Sequence, residues 1–280
     1  MMKTMAEIAA NHQGSMDLAK KMIDVAASYC GVSAVKFQKR TVSEMLTDEE
    51  YAKPYENPNS FGKTYGEHRD ALEFDVDQHK ELAQYCFDKK VKYGCSVWDM
   101  TAAQEIVGQI DPPIVKIASA CNTNKEMIEW IFGNSTGEIH ISMGMTTQQE
   151  KATIRGWLLK QDPNRIVVYH CVSAYPTPFE KAHLLDIDNY KQWAAKLGFS
   201  GHHLGISTDI GAAVKGCEWF ERHFTLDRSM KGADQSLSLE PDGMKKLVRD
   251  LNNIQKSLKK SDGGLLDIEE AFRKKLKRVI

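Results

Sequence analysis

Two histidines, His202 and His223, occupy positions where a strand is expected to end: His202 closes Gly198-Phe199-Ser200-Gly201-His202, and His223 lies in Glu218-Trp219-Phe220-Glu221-Arg222-His223-Phe224. Side chains along a strand alternate between its two faces. Ser200 and His202 can therefore share one face, as can Glu221 and His223. Two imidazoles on neighbouring strands, beside a carboxylate and a hydroxyl, suit a divalent metal with open coordination positions. The plain alternative is a pair of hydrogen-bonded core histidines.

Other polar groups recur at strand ends. Glu7 sits in the first apolar run, Lys36 in Ala34-Val35-Lys36-Phe37-Gln38, and Lys116 in Val115-Lys116-Ile117-Ala118-Ser119. A lysine in a buried strand is costly unless paired. Two lysines facing one cavity would make a site for an anion such as phosphate; otherwise each pairs with a structural carboxylate or faces outward. Ser96, Ser119, Ser142, Ser173 and Ser200 each fall at or just after an expected strand. One such serine means little, but five around a ring could supply hydrogen bonds to phosphoryl oxygens. Together these groups suggest a phosphorylated substrate meeting a metal-polarised carbonyl.

The elements that must hold these residues alternate regularly. Strands are expected at 5–9, 32–38, 92–96, 114–118, 138–142, 165–171, 197–202 and 217–224. Helices are expected at 17–29 with Ser15 as N-cap, then at 75–89, 100–107, 124–132, 147–159, 187–196, 209–215 and 241–259. Eight β/α units point to an α/β protein, a closed (β/α)8 TIM barrel, which takes roughly 250 residues as one domain with its active site at the C-terminal ends of the strands. The expected organisation is a barrel over residues 1–260 and a helical tail over 261–280. Residues 44–74 break the rhythm. Their tyrosines, prolines and mixed charges predict an ordered loop over the barrel mouth.

The chain has 280 residues and a formal net charge of −1, which argues against a nucleic-acid partner. Six scattered cysteines with no Cys-x-x-Cys pair predict reduced thiols and a cytoplasmic protein. No signal peptide and no membrane-spanning run is visible.

The motifs Ala6-Glu7-Ile8-Ala9-Ala10-Asn11-His12-Gln13-Gly14-Ser15, Val35-Lys36-Phe37-Gln38, His170-Cys171-Val172-Ser173-Ala174-Tyr175-Pro176-Thr177-Pro178 and Glu221-Arg222-His223-Phe224-Thr225 resemble the sialic acid synthase family, in the expected order. The resemblance implies a barrel that condenses phosphoenolpyruvate with an aldose, N-acylmannosamine or a related sugar, to give a 3-deoxy-2-ulosonic acid and phosphate. It implies a divalent ion, Mn²⁺ first with Mg²⁺ or Co²⁺ as alternatives, on His202 and His223. Glu7 matches an acidic residue handling protons or lying near the metal. Lys36 and Lys116 match phosphoenolpyruvate-binding lysines. Ser119, Ser142, Ser173 and Ser200 match phosphate or carboxylate contacts, and Tyr175, Glu221 and Asp234 match residues placed towards the sugar and metal. A homodimer is implied as well.

Three departures stand out. Family members continue into a small C-terminal antifreeze-like domain, whereas this sequence stops at Ile280; the sugar lacks the group that domain reads, or another residue or a separate protein reads it. A threonine-proline pair is replaced by Val97-Trp98, leaving Ser96 as a candidate for the lost hydroxyl contact. Ser-Asp-His becomes Ser200-Gly201-His202, which removes a carboxylate that would orient His202; the adjacent His203 is expected to face away. The 61–69 stretch, with Tyr65, His68 and Arg69, is a candidate cap, Arg69 suiting a carboxylate, phosphate or carbonyl on the sugar. Two other readings remain open: a metal-dependent pyruvate aldolase, and a non-catalytic barrel serving a surface-sugar pathway.

Overall fold

The computed structural model describes residues 2–278. Eight parallel strands close a barrel in sequence order, with β8 returning to pair with β1 so that Glu7 lies beside His223. In chain order the elements are β1 (Lys3–Glu7), α1 (Met16–Asp24), β2 (Ala34–Lys39), α2 (Val42–Met45), α3 (Asp48–Ala52), α4 (Tyr65–Asp70), α5 (Val76–Asp88), β3 (Lys92–Val97), α6 (Met100–Gln109) and β4 (Ile114–Ile117). Then follow α7 (Lys125–Asn134), β5 (Glu138–Ser142), α8 (Gln148–Leu158), β6 (Ile166–Cys171), β7 (Lys196–Gly201), α9 (Ser207–Val214), β8 (Trp219–His223), α10 (Pro241–Ser257) and α11 (Asp267–Leu276).

The two-residue period of the strands sorts the side chains. Ala6, Val35, Ile117, Ile141, Val168 and Phe220 face the helices and form the main core. Met5, Ala34, Ile114, Val167, Tyr169 and Trp219 face inward and form a second apolar layer. Residues two positions further along five of these strands line the cavity above: Glu7, Lys36, Lys116, Cys171 and Glu221. Alternation thus raises a polar layer directly over an apolar floor. Gly198 makes room for that floor, because a Cβ there would stand 2.6 Å from the Tyr169 ring.

Several expectations need correction. The first strand lies two residues earlier than expected, and the chain turns after it, with Ala9 at φ 48°. Ser15 caps α1 by accepting from Leu18 N, but the helix widens into a π-helical segment at Val25–Cys30 before Gly31, at φ 73°, ends it. No α-helix covers 187–196: Leu184–Tyr190 is 3-10 helix and Lys196 already begins β7. Asp186, Asp188 and Asn189 have low helix propensity, and Asp188 pairs with Lys191 and Lys215. The 44–74 segment is ordered as expected, yet it carries α2, α3 and α4 rather than bare loop. Reciprocal capping boxes, Thr47 with Glu50 and Thr64 with Glu67, start the last two of these. No described helix is long and apolar enough to cross a membrane.

Candidate active site

The C-terminal ends of the strands enclose a cavity lined by Glu7, Lys36 and Lys116, by all five strand-end serines (Ser96, Ser119, Ser142, Ser173, Ser200), and by Glu221, His202, His223 and Tyr175. Lys36 and Lys116 are 3% and 2% exposed, so neither ammonium can rely on bulk water. Lys36 pairs with Glu7 and donates to Ser96 Oγ at 2.6 Å. Lys116 reaches Glu221 Oε2 at 2.8 Å, and its Nζ lies 4.0 Å above the centre of the Tyr169 ring. Glu221 also accepts from Ser200 Oγ at 3.1 Å and stands 3.9 Å from Lys36. Both open alternatives for the lysines are therefore realised together: each is paired with a carboxylate, and both face one cavity. An ammonium has three donors. Lys36 spends two on side chains and Lys116 one, which leaves N–H capacity for an anion.

Charge and burial oppose each other here. Burial is the largest influence on Lys36 and pushes it down to about 8, with Glu221 resisting and Lys116 assisting. Burial alone would raise Glu221, but Lys116 and Lys36 outweigh it and hold the carboxyl well below its usual range. The two lysines share the cavity only because the carboxylates sit between them.

His202 is the first residue beyond β7, and its ring centre lies 5.6 Å from that of His223. Its Nδ1 is 3.0 Å from the Val172 carbonyl. A carbonyl only accepts, so Nδ1 carries the proton and Nε2 presents a lone pair. That backbone contact replaces the orienting carboxylate missing at Gly201. Burial pushes His202 down, but the Cys171 thiol and the Val172 carbonyl outweigh it and raise the net value, an environment that favours a cation at Nε2 too. His223 is held at about 4, chiefly by burial, and is a neutral imidazole at pH 7. Its Nδ1 is buried with no hydrogen-bond partner. Two free imidazole nitrogens fit a divalent ion with open positions. Among the described residues no group of three or more His, Cys, Asp or Glu side chains is gathered as a metal site, so the remaining ligands would have to come from water or substrate. His203 faces away as expected, towards Asp209 and Arg222.

Asp234 and Arg69 do not enter this cavity. They line a second chamber, which shares Gln38, Trp98, Tyr175 and His223 as walls with the first. Asp234 Oδ2 is 3.9 Å from His223 Nδ1. Tyr175 is 55% exposed and forms the wall between the chambers, its ring centre 4.2 Å from that of His202. The 61–69 stretch does lie at the mouth, with Phe61, Tyr65 and Arg69 in the chamber wall.

Sequence reasoning overlooked three neighbours. Gln38 donates to Glu7 Oε1 at 3.0 Å and accepts from Arg40, linking the two chambers along β2; its i+2 spacing from Lys36 was a usable signal. Gly144 donates to Ser119 Oγ at 3.1 Å, and a Cβ there would lie 2.5 Å from Ser173 Oγ. Cys171 approaches His202 Nδ1 at 4.0 Å. Nothing in the sequence near either residue announces these contacts, which join separate strands.

Comparison with known proteins places this geometry. A profile described as NeuB family matches residues 22–263. The chain is 35% identical over 273 residues to the N-acetylneuraminate-9-phosphate synthase of Mus musculus, covering 97% of this chain and 75% of that protein. It is 30% identical to the N,N'-diacetyllegionaminic acid synthase of Campylobacter jejuni, covering 92% of this chain and 78% of that protein. The crystal structure of the N-acetylneuraminic acid synthetase of Leptospira borgpetersenii serovar Hardjo-bovis in complex with citrate superposes with a TM-score of 0.81 at 26% identity, covering 99% of this chain and 93% of that one.

Proposed function

This chain belongs to the NeuB family, and from that membership and the cavity's chemistry we propose that it condenses phosphoenolpyruvate with an aldose to form a 3-deoxy-2-ulosonic acid of the sialic-acid type. The observation that carries the reading is the placement of two buried lysines in one cavity with five serine hydroxyls and two free imidazoles. Phosphoenolpyruvate, an aldose and water give the ulosonic acid and inorganic phosphate. C3 of the enol attacks the aldehyde carbon, water adds at C2, and the C2–O bond to phosphate breaks.

The chain's own groups divide this work. Lys36, Lys116 and the serines bind the phosphate and carboxylate of phosphoenolpyruvate and stabilise the departing phosphate. Gly144 keeps the space at Ser119 and Ser173 open to those oxygens. Glu7, bonded to Lys36 and Gln38, is the carboxylate placed to move a proton at the reacting centre. Glu221 holds Lys116 in place, while Tyr175 and Asp234 border the path by which the sugar enters. His202 and His223 would hold the divalent ion, Mn²⁺ first, and such an ion supplies Lewis-acid polarisation of the aldehyde oxygen.

The test is sugar-dependent phosphate release from phosphoenolpyruvate with Mn²⁺, across a panel containing N-acetylmannosamine, its 6-phosphate, mannose and pentoses. Release that requires sugar and disappears with chelator and in His202→Ala supports the reading. Carbon–carbon bond formation from pyruvate itself, with no need of phosphoenolpyruvate, would establish an aldolase instead. No turnover of any sugar with either donor would leave a non-catalytic barrel.

A further inference from the structure

The floor of the inner cavity differs beneath the two lysines. Lys36 is held by Glu7 and Ser96. Among the described residues Lys116 hydrogen-bonds to one side chain, Glu221, and its Nζ rests on the face of the Tyr169 ring, 4.0 Å from the ring centre. Tyr169 is unexposed and belongs to the inner apolar layer with Met5, Ala34, Ile114, Val167 and Trp219. An aliphatic side chain in its place would leave the underside of a buried ammonium with neither water nor a partner. An aromatic face offsets part of that cost, and its attraction grows as water is excluded.

The ring is held from several sides. His140, also unexposed, lies beside Lys116 in the pairing of β5 with β4, and its Nδ1 is 2.9 Å from the Tyr169 hydroxyl. The Glu138 carboxylate stands 3.7 Å from His140 Nε2 and is ion-paired with Lys196. A carboxylate favours the imidazole proton on the nitrogen that faces it, so Nε2 carries the proton and Nδ1 accepts from the hydroxyl. Burial pushes His140 down to about 4 and lifts the Tyr169 hydroxyl well above its ordinary value, so imidazole and phenol are both neutral at pH 7. A phenol that donates its proton to an imidazole gains electron density in its ring, which strengthens the face turned to Lys116. The Trp219 ring packs edge-on against His140, with centres 4.9 Å apart. Gly198 supplies the space, since a Cβ there would meet the Tyr169 ring at 2.6 Å. Residues of β5, β6, β7 and β8 thus set one aromatic face under one ammonium.

We propose that Tyr169 is a positioning residue for donor binding: its ring occupies the underside of the Lys116 ammonium, so that the N–H groups not taken by Glu221 are left to face the phosphoenolpyruvate anion. The proposal rests on the condensation reading and deepens it. It gives the Tyr169–His140 pair, polar groups set inside an apolar layer, a role that a Leu or Val there could not fill.

The test is a series at position 169: Tyr169→Leu, Tyr169→Phe, and phenylalanines carrying one, two or three ring fluorines, introduced by amber suppression. Fluorine withdraws density from the ring face and changes its shape little, so the fluorinated series decides the matter even if Tyr169→Leu fails to fold. Calorimetry with Mn²⁺ present reads phosphoenolpyruvate binding without requiring turnover. Binding should weaken stepwise with fluorine number, and in Tyr169→Leu by roughly 10-fold to 30-fold, the worth of a desolvated cation–π contact. In the phosphate-release assay the loss should fall on the KM for phosphoenolpyruvate, with the KM for the sugar little changed. Tyr169→Phe separates stability from positioning: it leaves His140 Nδ1 without its donor and should unfold at lower urea, yet it keeps the ring face and should bind the donor within a few-fold of wild type. Donor affinity independent of fluorine number, or an equal rise in both KM values, would overturn the positioning role and leave the condensation standing. No binding of phosphoenolpyruvate by wild type would remove the donor reading, and the role of Tyr169 with it.

Discussion

Arg222 and Asp209 form a salt bridge, Nη1 to Oδ2 at 2.6 Å, on the helix-facing side of the barrel behind the two site histidines. Both side chains are essentially unexposed. Arg222 lies between Glu221 and His223 on β8, so alternation sends it outward while its neighbours face the cavity. It also donates to the carbonyls of His203 at 2.6 Å and Gly205 at 2.8 Å. One guanidinium thereby ties the strand carrying His223 to the segment that follows His202, and so fixes the spacing of the two imidazoles.

Arg222→Ala leaves the buried Asp209 carboxylate with only the His203 ring, 3.1 Å away, as a partner, and should cost about 3–5 kcal/mol of stability. Urea unfolding measures this directly. In a folded variant such as Arg222→Lys, which keeps charge but loses the fork, Mn²⁺ affinity measured by electron paramagnetic resonance should fall by roughly 10-fold or more, as when a group orienting a metal ligand is lost. Unchanged affinity in Arg222→Lys would show that Val172 alone orients His202.

Gly144→Ala probes the hydroxyl ring. The added methyl would stand 2.5 Å from Ser173 Oγ and 2.7 Å from Ser119 Oγ. The hydroxyls must swing away or the loop must shift, at a cost of about 1–3 kcal/mol. The expected result is a phosphoenolpyruvate KM raised roughly 10-fold with the sugar KM changed far less. Equal increases in both would mean that the loop has moved as a whole and that the serines are not specific to the donor.

How far the site was legible in the sequence follows from what alternation can report. Lys36 beside Gln38, Ser200 beside His202, and Glu221 beside His223 are pairs within single strands, and each does face the cavity. The barrel order followed from repeated apolar runs, and β5 lies at the expected 138–142. Contacts between distant strands leave no such trace: Lys116 with Glu221 spans 105 residues. Nor did period alone place Arg69 and Asp234 in the outer rather than the inner chamber. The capping boxes at Thr47 and Thr64 were readable and would have turned the 44–74 loop into helices. At 187–196 the apolar spacing outweighed the low helix propensity of Asp186, Asp188 and Asn189.

Donor binding should weaken in alkali. Lys36 titrates near 8 because burial outweighs the pull of Glu221. Below that value the ammonium attracts an anionic donor; above it the charge is lost. The kcat/KM for phosphoenolpyruvate at saturating sugar should therefore fall as pH rises beyond about 8. Glu221→Gln removes the group that resists the shift, and should move the fall to lower pH. A profile flat to pH 9.5 or so would show that Lys36 keeps its proton in the complex.

Acid should destabilise the barrel through buried histidines that do not line the cavity. His12 and His79 are each held at about 3, and His140 at about 4, with burial the largest cause in all three. The unfolded chain protonates its histidines near 6.5. Between that value and the folded values the unfolded state binds more protons, so stability is complete above about 6.5 and is lost as pH falls towards 3 to 4. Each group can contribute on the order of a few kcal/mol over that range. His79 isolates the effect, since its ring is unexposed and its Nδ1 meets only the Tyr93 hydroxyl, at 2.7 Å. His79→Gln retains a polar partner for Tyr93 and cannot titrate. Urea midpoints at pH 7.0, 5.5 and 4.5 should decline for wild type and decline less steeply for His79→Gln, even though the variant is the less stable at neutral pH. Parallel declines would place the acid sensitivity elsewhere than His79, with Glu221, which Lys116 and Lys36 hold below its usual range, the next group to replace.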